Sequence, residues 1–324
     1  MSQSRVSSLG LGLMLLSSAA FGTSGTLATS LIAIGWTPGA AVTTRVTIAA
    51  LVLTLPAVVQ LRRHSLRVAD LRGVLVYGIA AVAGAQLCYF NAVQHLSVAV
   101  ALLLEYSGIL LVVLWMWLRH GHRPRKLTVI GGLVSLVGLA LVLDLLSPQR
   151  LDLIGVLWGL GAGVGLATYF VISARTEDAL PPLVIAWGGL AIGAAGLLLA
   201  VALAALPFTA PRADVTLLHA KMSWLVPVLG LSLVAAVLAY VCGIVGARLL
   251  GAKVASFVGL TEVLFAVLLA WLLVGQHLTV LQLFGALLLI VGIVLVRLDE
   301  AEALPAGAPD IPVSLASAPT GIAG

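Results

Sequence analysis

The chain has 324 residues, of which 61% are hydrophobic and 9% are charged, with a net charge of +5 and a mean hydropathy of +1.19. Soluble domains carry charge on about a quarter of their residues, so this composition excludes an ordinary soluble globule. The positive charge does not indicate nucleic-acid binding, because the basic residues lie in short loops between apolar segments. The sequence therefore predicts an integral membrane protein whose surroundings are the lipid bilayer.

Ten apolar segments are long enough to cross a bilayer as helices, which takes about 20 residues each. We name them spans 1 to 10, at residues 9–32, 40–60, 74–94, 98–118, 127–145, 153–174, 183–206, 225–247, 252–273 and 279–297. Only His95, Leu96 and Ser97 separate spans 3 and 4, but one helix of their combined length would overshoot the bilayer. Span 1 is too long for a cleaved signal peptide and lacks a clear basic leader, so we expect it to be retained.

The basic residues divide unevenly between the two sides that ten spans define. With the N-terminus inside, 13 lysines and arginines outside the spans or at their ends face the cytoplasm, and only Arg150, Arg212 and Lys221 face the other side. The positive-inside rule then predicts that both termini are cytoplasmic in a multi-pass protein of the cytoplasmic (inner) membrane. An odd number of spans would destroy this asymmetry.

Residues 98–142 recur weakly but in register at residues 252–296, a shift of 154 positions. The informative matches are Trp117 with Trp271, Gly121 with Gly275, Gly131 with Gly285, and Gly138 with Gly292. The matched segments are spans 4–5 and 9–10, so the repeat unit is a half of five spans. An odd number of spans inverts the second half in the bilayer, as in many secondary transporters. We predict an all-α membrane fold with a first five-helix repeat at 1–146, a second at 147–298, and a disordered cytoplasmic tail at 299–324.

Three ionisable acid or base residues lie well inside the spans: Arg45, Glu105 and Glu262. An arginine at the centre of a membrane helix costs about 2.5–3.5 kcal/mol on insertion scales, so each buried charge requires a reason. By helical rise, Arg45 and Glu105 lie at similar depth in the outer half. They form a structural ion pair, or Glu105 titrates or contacts substrate while Arg45 orients it. Glu262 lies near the midplane without a charged partner, so it either couples a proton to transport or stays neutral as a hydrogen-bond donor.

Polar side chains at comparable depth complete a candidate pocket, because a metabolite site needs apolar walls with a few convergent polar groups. The candidates for substrate binding or proton coupling are Glu262, Glu105, Tyr89, Asn91 and Tyr240, with Gln86, Tyr106 and Tyr169 as further candidates. Span 1 contains the polar stretch Gly22-Thr23-Ser24-Gly25. Its hydroxyls either bond to the preceding carbonyls or line a cavity.

Motifs of several other functions are absent from the sequence. It contains no GxxxxGK[ST] phosphate loop, no HExxH zinc motif and no GxSxG elbow, so we predict no catalytic residue, metal or cofactor. The histidines of His120-Gly121-His122 lie in a basic loop whose charge repels cations. Cys88 and Cys242 both lie inside spans, where we expect small buried residues rather than a disulfide.

Two motifs and their order in the chain resemble the drug/metabolite transporter superfamily, specifically its EamA-like members. They are Glu105-Tyr106-Ser107-Gly108 in span 4 and Thr261-Glu262-Val263 in span 9, which leads into the run from Ala270 to Thr279. Arg45 also resembles an arginine that is frequent in span 2 of relatives. In the family a proline often follows the span 9 acid and the later turn commonly reads G-E-x-L/F-T, so Val263 and Gln276 are departures.

The resemblance extends over residues 9–297 and implies two inverted halves around a cavity lined mainly by helices 1, 3, 4, 6, 8 and 9. It implies small-metabolite substrates, often amino acids moved outward, driven by an ion or proton gradient or by exchange. Without the proline, it leaves open whether helix 9 is broken. We therefore predict a secondary transporter that exports a small molecule. The alternatives are an importer of a metabolite or sugar and a non-transporting membrane subunit. Each of these three functions is compatible with a homodimer.

Overall fold

The structure is a computed structural model that describes residues 3–63, 68–121, 123–145, 152–175, 180–217, 220–274 and 279–303. Some predicted features lie outside these residues: the turn at 147–150 between the halves, His122, Gly275 and Gln276, and the tail beyond residue 303. Within the described ranges the chain is helical apart from one small β-ribbon, which agrees with the predicted all-helical class.

The described residues form ten helices, which we number α1 to α10 in chain order. The unbroken ones are α1 (Gln3–Ile32), α2 (Pro38–Leu61), α5 (Lys126–Val142), α6 (Leu153–Ser173), α7 (Pro182–Ala202) and α10 (Val280–Ala303). The segmented ones are α3 (Val68–Val76, Tyr77–Gly84, Ala85–His95), α4 (Val98–Tyr106, Gly108–His120), α8 (Leu225–Leu229, Gly230–Leu238, Ala239–Leu250) and α9 (Ala252–Gly259, Thr261–Val274). Nine of these helices are long and apolar enough to cross a membrane, and α5, with 17 residues, is at the lower limit of that length.

The connection between α7 and α8 is more ordered than the loop that the sequence predicts. Span 7 was expected to reach residue 206, but α7 ends at Ala202, and the chain then forms two antiparallel strands, β1 (Val215–Leu217) and β2 (Ala220–Met222). Trp36 Nε1, in the α1–α2 turn, donates a hydrogen bond of 2.9 Å to the carbonyl of Pro211. The connection therefore packs over the ends of α1 and α2.

One end of the bundle gathers both ends of the helical chain, and we call it the terminal side. Arg297 of α10 donates a hydrogen bond of 3.3 Å to Ser7 of α1. Lys253, at the start of α9, lies 3.7 Å from the carboxylate of Asp299, which is 2% exposed. Asp299 also accepts a hydrogen bond of 2.5 Å from Thr128, at the start of α5. These contacts join four helices at one end, and we call the opposite end the distal side.

The internal repeat continues into helices where the sequence alone showed no match. The segment Tyr77–Gly84 of α3 is a π-helix, and so is the segment Gly230–Leu238 of α8. The 154-residue shift brings Gly84 onto Leu238, so the two π segments end at equivalent positions. A π-helical stretch inside a membrane helix is rare and is often found at a functional site.

The helices α4 and α9 are broken at repeat-related positions. Single turn residues, Ser107 and Leu260, interrupt them. Ser107 Oγ donates to the carbonyl of Leu104 at 2.6 Å, and Thr261 Oγ1 donates to the carbonyl of Val258 at 2.7 Å. The same 154-residue shift relates the two donors and the two acceptors. A hydroxyl bonded to a preceding carbonyl competes with the helix ladder and bends it, so α9 breaks without a proline.

The helices α5 and α10 pack along the glycines that the repeat had matched. A Cβ added at Gly131 would lie 2.7 Å from the carbonyl oxygen of Gly292, and one added at Gly138 would lie 2.7 Å from that of Gly285. Because Gly131 matches Gly285 and Gly138 matches Gly292, each helix presents the same face to the other. The seam is therefore self-complementary about a local two-fold axis.

The two halves also meet on the distal side. His95 Nδ1, at the end of α3, lies 2.7 Å from the carboxylate of Asp152, which precedes α6. The Ile154 backbone N–H and, second, the His95 side chain hold the pKa of Asp152 below its usual range. The stabilisation from this carboxylate is present above the ordinary pKa of aspartate and is lost as the pH falls through the lowered value.

Candidate functional site

A cavity of about 680 Å³ lies inside the bundle, walled mainly by α1, α2, α3, α4, α6, α8 and α9, with Leu143 after α5 and Gln282 of α10 also in the lining. Its lining includes the distal helix ends at Ile32, Pro38 and Val98. Toward the terminal side it stops at Met14 and Phe170, which are 2% and 4% exposed. The cavity therefore opens toward the distal side and is closed toward the terminal side. Both π segments border it, through Ala81 of α3 and Leu231 of α8.

The polar stretch of α1 contributes to the cavity without breaking the helix, which runs unbroken over Gln3–Ile32. Gly22, Ser24 and Gly25 line the cavity. Thr23 Oγ1 instead donates to the carbonyl of Ala20 at 2.7 Å, and Gly22 packs against α9, where a Cβ would have no room. The two alternatives for this stretch, cavity lining and internal hydrogen bonding, thus apply to different residues.

Arg45 of α2 places a cation at the cavity and is only 8% exposed. Its Nη1 donates a hydrogen bond of 2.8 Å to Ser24 Oγ, while its Nε is buried and has no acceptor among the described residues. No carboxylate among the described residues lies within 4.0 Å of the guanidinium. The predicted ion pair with Glu105 is therefore not formed, because Ser24 supplies the nearer acceptor. Glu105 remains within electrostatic range of Arg45.

Glu105 and Glu262 stand beside the two helix breaks. Glu105 lies two residues before the α4 break, and Glu262 lies two residues after the α9 break. Both side chains are half-buried, line the cavity, and lie within electrostatic range of each other and of Arg45. The Tyr106 hydroxyl lies within hydrogen-bonding reach of the Glu262 carboxyl. The depth argument had suggested that Glu262 has no partner. Instead, Tyr106, which directly precedes the α4 break, lies within reach of it.

Aromatic rings cover much of the remaining cavity wall. Four of the five tyrosines of the chain line it: Tyr89, Tyr106, Tyr169 and Tyr240. Tyr240 makes edge-on contacts with Phe21 and Tyr169, at centroid distances of 5.2 and 5.8 Å. Edge-to-face packing is a favoured arrangement of aromatic pairs, and ring faces attract cationic groups of ligands.

The chain matches a model of the EamA-like transporter family twice, over residues 8–144 and again over residues 153–298. The chain belongs to this family. The match confirms the resemblance that the motifs around Glu105 and Glu262 indicated. It also agrees with a two-repeat architecture, and membership makes the chain a multi-pass membrane protein of a transporter family.

A solved structure, described only as the crystal structure of a protein, resembles this EamA-like chain with a TM-score of 0.70 and 22% sequence identity. The alignment covers 92% of this chain and 99% of the other. At that identity the likeness concerns the fold alone. Among curated proteins, none matches this chain.

The structure brings four of the five predicted site residues of this EamA-like protein into one cavity: Glu262, Glu105, Tyr89 and Tyr240. Asn91 does not line it, and its amide nitrogen donates to the carbonyl of Leu87 on the same helix at 2.8 Å. The further candidates Gln86, Tyr106 and Tyr169 do line the cavity.

Two features of the site were missed from the sequence. The resemblance implied a lining mainly by six helices, but α2 joins them and carries Arg45 into the wall, and α10 adds Gln282. Ser24 was visible as a polar residue in α1, yet nothing in the sequence pairs it with Arg45. That pairing arises because α1 and α2 are consecutive antiparallel helices whose middle sections face one cavity.

Proposed function

We propose that this EamA-like protein is a secondary active transporter of the cytoplasmic membrane that exports amino acids or related small metabolites by alternating access. One observation carries the proposal: the cavity places a buried arginine and two glutamates within electrostatic range of one another, inside a bundle built from two repeats. Buried charges in membrane helices mark substrate and ion pathways because their insertion is otherwise unfavourable.

The charges of the cavity suit a ligand that carries both signs. The Arg45 guanidinium makes a single hydrogen bond, to Ser24, among the described residues, so most of its donors are available to a carboxylate. The planar fork of arginine is well matched to a carboxylate, which it binds with two parallel bonds. Glu105 and Glu262 then supply acceptors for an ammonium group, and the rings of Tyr89 and Tyr240 flank apolar parts of the ligand.

The same two glutamates are the proposed proton carriers. A carboxyl that binds a proton on one side of the membrane and releases it on the other couples the proton gradient to substrate movement. Both carboxyls lie next to helix breaks, at Ser107 and Leu260, where a change in bend alters their surroundings. With both termini in the cytoplasm, the present cavity is the outward-open state.

Counterflow in liposomes tests the proposal. Liposomes that contain the purified protein are loaded with one unlabelled compound, and uptake of the same compound in labelled form is measured. The compounds are amino acids, their decarboxylated amines and sugars. We expect counterflow for at least one amino acid and none for its amine, because the amine lacks a partner for Arg45. Counterflow with sugars alone would contradict the proposed substrate class, and no counterflow by folded protein would favour the non-transporting alternative.

The proposed topology has a separate test in reporter fusions after Arg63 and after Leu96. With ten membrane helices and a cytoplasmic N-terminus, the first fusion is expected to report the cytoplasm and the second the opposite side. An alkaline phosphatase and a fluorescent protein at the same two positions give opposite readouts and control for expression. A cytoplasmic signal after Leu96 would contradict the ten-helix arrangement.

A further inference from the structure

Beside Phe170, at the closed end of the cavity, lies a row of aromatic side chains from four helices. Phe21 of α1, Tyr240 of α8, Tyr169 of α6 and Tyr77 of α3 contact one another in that order, at centroid distances of 5.2, 5.8 and 5.9 Å. We call this row the aromatic floor. Its first three members line the cavity, whereas Tyr77 does not and is completely buried. The floor thus runs from the cavity into the part of the bundle that separates it from the terminal side.

Two rings of the floor fit against glycines on neighbouring helices. A Cβ added at Gly189 of α7 would lie 2.3 Å from the ring of Tyr77. One added at Gly243 of α8 would lie 2.1 Å from the Tyr169 hydroxyl and 2.7 Å from Ser17 Oγ. No side chain can occupy these positions while the rings stay in place. The floor therefore depends on close contact between whole helices, and a movement of α3 or α6 away from α7 and α8 would remove it.

The floor also buries hydroxyl groups that make no hydrogen bond with another described residue. Tyr77 faces Ser173 and Tyr169 faces Ser17, but within the part of the chain that the structure describes the hydroxyls of Tyr77, Tyr169 and Ser173 make no hydrogen bond of good geometry. Ser17 uses its own proton to donate to the carbonyl of Ala239 at 2.7 Å. A buried polar group without a partner is unfavourable, and contact with water relieves it. Ring packing therefore stabilises the closed floor, whereas the unpaired hydroxyls destabilise it. Opening the floor to water removes that destabilisation.

We propose that the aromatic floor is the gate on the terminal side, with Tyr169 as the side chain that blocks the passage. Opening separates α3 and α6 from α7 and α8, hydrates the three hydroxyls and connects the cavity to the terminal side. The proposal rests on the proposed function in one respect, since a transporter that works by alternating access requires a second opening. The residues that form that opening follow from the contacts above.

The chain carries a natural reporter for this gate. Cys242 directly precedes Gly243 in α8, is 8% exposed and lies within electrostatic range of Tyr169. Replacing the other cysteine (Cys88→Ala) leaves Cys242 as the single thiol of the chain. The rate at which a membrane-impermeant maleimide labels Cys242 is then measured in right-side-out and inside-out vesicles, so that each side of the protein is exposed in turn.

Removing the blocking ring is expected to open the route from the terminal side. In the Cys88→Ala background, Tyr169→Ala should raise terminal-side labelling at least about tenfold, because a buried side chain becomes reachable when its cover is removed. Gly243→Ala should act in the same direction, since its Cβ displaces the Tyr169 hydroxyl. The matched control is Phe90→Ala, a ring that lines the distal part of the cavity, and it should leave the rate unchanged.

Removing an unpaired hydroxyl is expected to have the opposite effect. Tyr77→Phe keeps the ring packed against Gly189 but removes the unpaired hydroxyl. The closed floor therefore becomes more stable, and labelling of Cys242 slows by about fivefold. If Tyr169→Ala fails to fold, Tyr77→Phe still tests whether the aromatic floor is the gate. Unchanged or faster labelling in Tyr77→Phe would overturn the proposal, as would wild-type rates in both Tyr169→Ala and Gly243→Ala, or equal acceleration from both sides.

The labelling experiment needs no substrate, so its failure is distinguishable from failure of the proposed function. Side-specific acceleration in a protein that shows no counterflow with any amino acid would support the gate and contradict the substrate class. The opposite result is counterflow with an amino acid while no floor variant changes the rate of Cys242 labelling. It would support the proposed transporter and overturn the proposed gate.

Discussion

Glu262→Gln is expected to weaken substrate binding in counterflow by about 10- to 100-fold, because hydrogen bonds to charged groups contribute about 1.5–3 kcal/mol. The amide keeps the shape of the side chain and an oxygen within reach of the Tyr106 hydroxyl, but it cannot balance the charge of an ammonium group or carry a proton. The measurement is the half-saturation concentration for the compound that shows counterflow in the wild type.

The control for this variant is the same substitution at Glu300, which is partly exposed on the terminal side, pairs there with Lys253 and does not line the cavity, so counterflow is expected to stay close to wild type. Two results separate the roles of Glu262. Normal counterflow with loss of proton-driven transport would assign Glu262 to coupling rather than to binding. Normal counterflow together with normal proton-driven transport would contradict both roles.

Gly138→Ala is expected to destabilise the protein by about 1–3 kcal/mol or more, the usual effect of overpacking a tight interface. Its Cβ would lie 2.5 Å from the backbone nitrogen of Leu289 and 2.7 Å from the carbonyl of Gly285, and neither backbone atom can move aside alone. The measurement is the midpoint of thermal unfolding in detergent, together with the fraction of protein that elutes as a single species. Gly292→Ala, its repeat partner, should behave alike.

Gly132→Ala is the matched control, six positions away on the same helix. There a Cβ would approach the ring of Phe257 at 3.4 Å and a methyl group of Leu110 at 3.6 Å, both close to ordinary contact distance. Replacing a helical glycine by alanine stabilises the helix by about 1 kcal/mol where space allows, so this variant should be neutral or slightly stabilising. Equal behaviour of Gly138→Ala and Gly132→Ala would contradict the assigned role of the α5–α10 seam.

Much of the architecture could be predicted because membrane helices are encoded locally. The break between spans 3 and 4 required only a length limit, and α3 ends at His95 while α4 begins at Val98, as expected. The shared cavity of Glu105 and Glu262 followed from their unfavourable burial. The π segments could not be predicted, since Tyr77–Gly84 and Gly230–Leu238 contain ordinary apolar residues with no local signal.

One site candidate and one question left open by the sequence had a physical answer that the sequence already contained. Tyr89 and Asn91 are two residues apart, and side chains at that spacing on a helix point to different faces, which disfavours both of them lining the same wall. Similarly, the break in α9 was left open because Val263 replaces a proline. The relevant signal was the repeat-matched pair of hydroxyl residues, Ser107 and Thr261, which bend both helices in the same way. The pairing of Arg45 with Ser24 was beyond any local pattern.

The self-complementary seam of α5 and α10 has an energetic consequence. If two related halves exchange roles about a local two-fold axis, the inward-open and outward-open scaffolds are nearly degenerate, and the backbone alone sets little preference between them. The acids break this degeneracy, because the 154-residue shift places Glu105 on Gly259 and Glu262 on Gly108. The bias between the two conformations therefore resides in a few unmatched side chains, where protonation and ligand charge can reverse it.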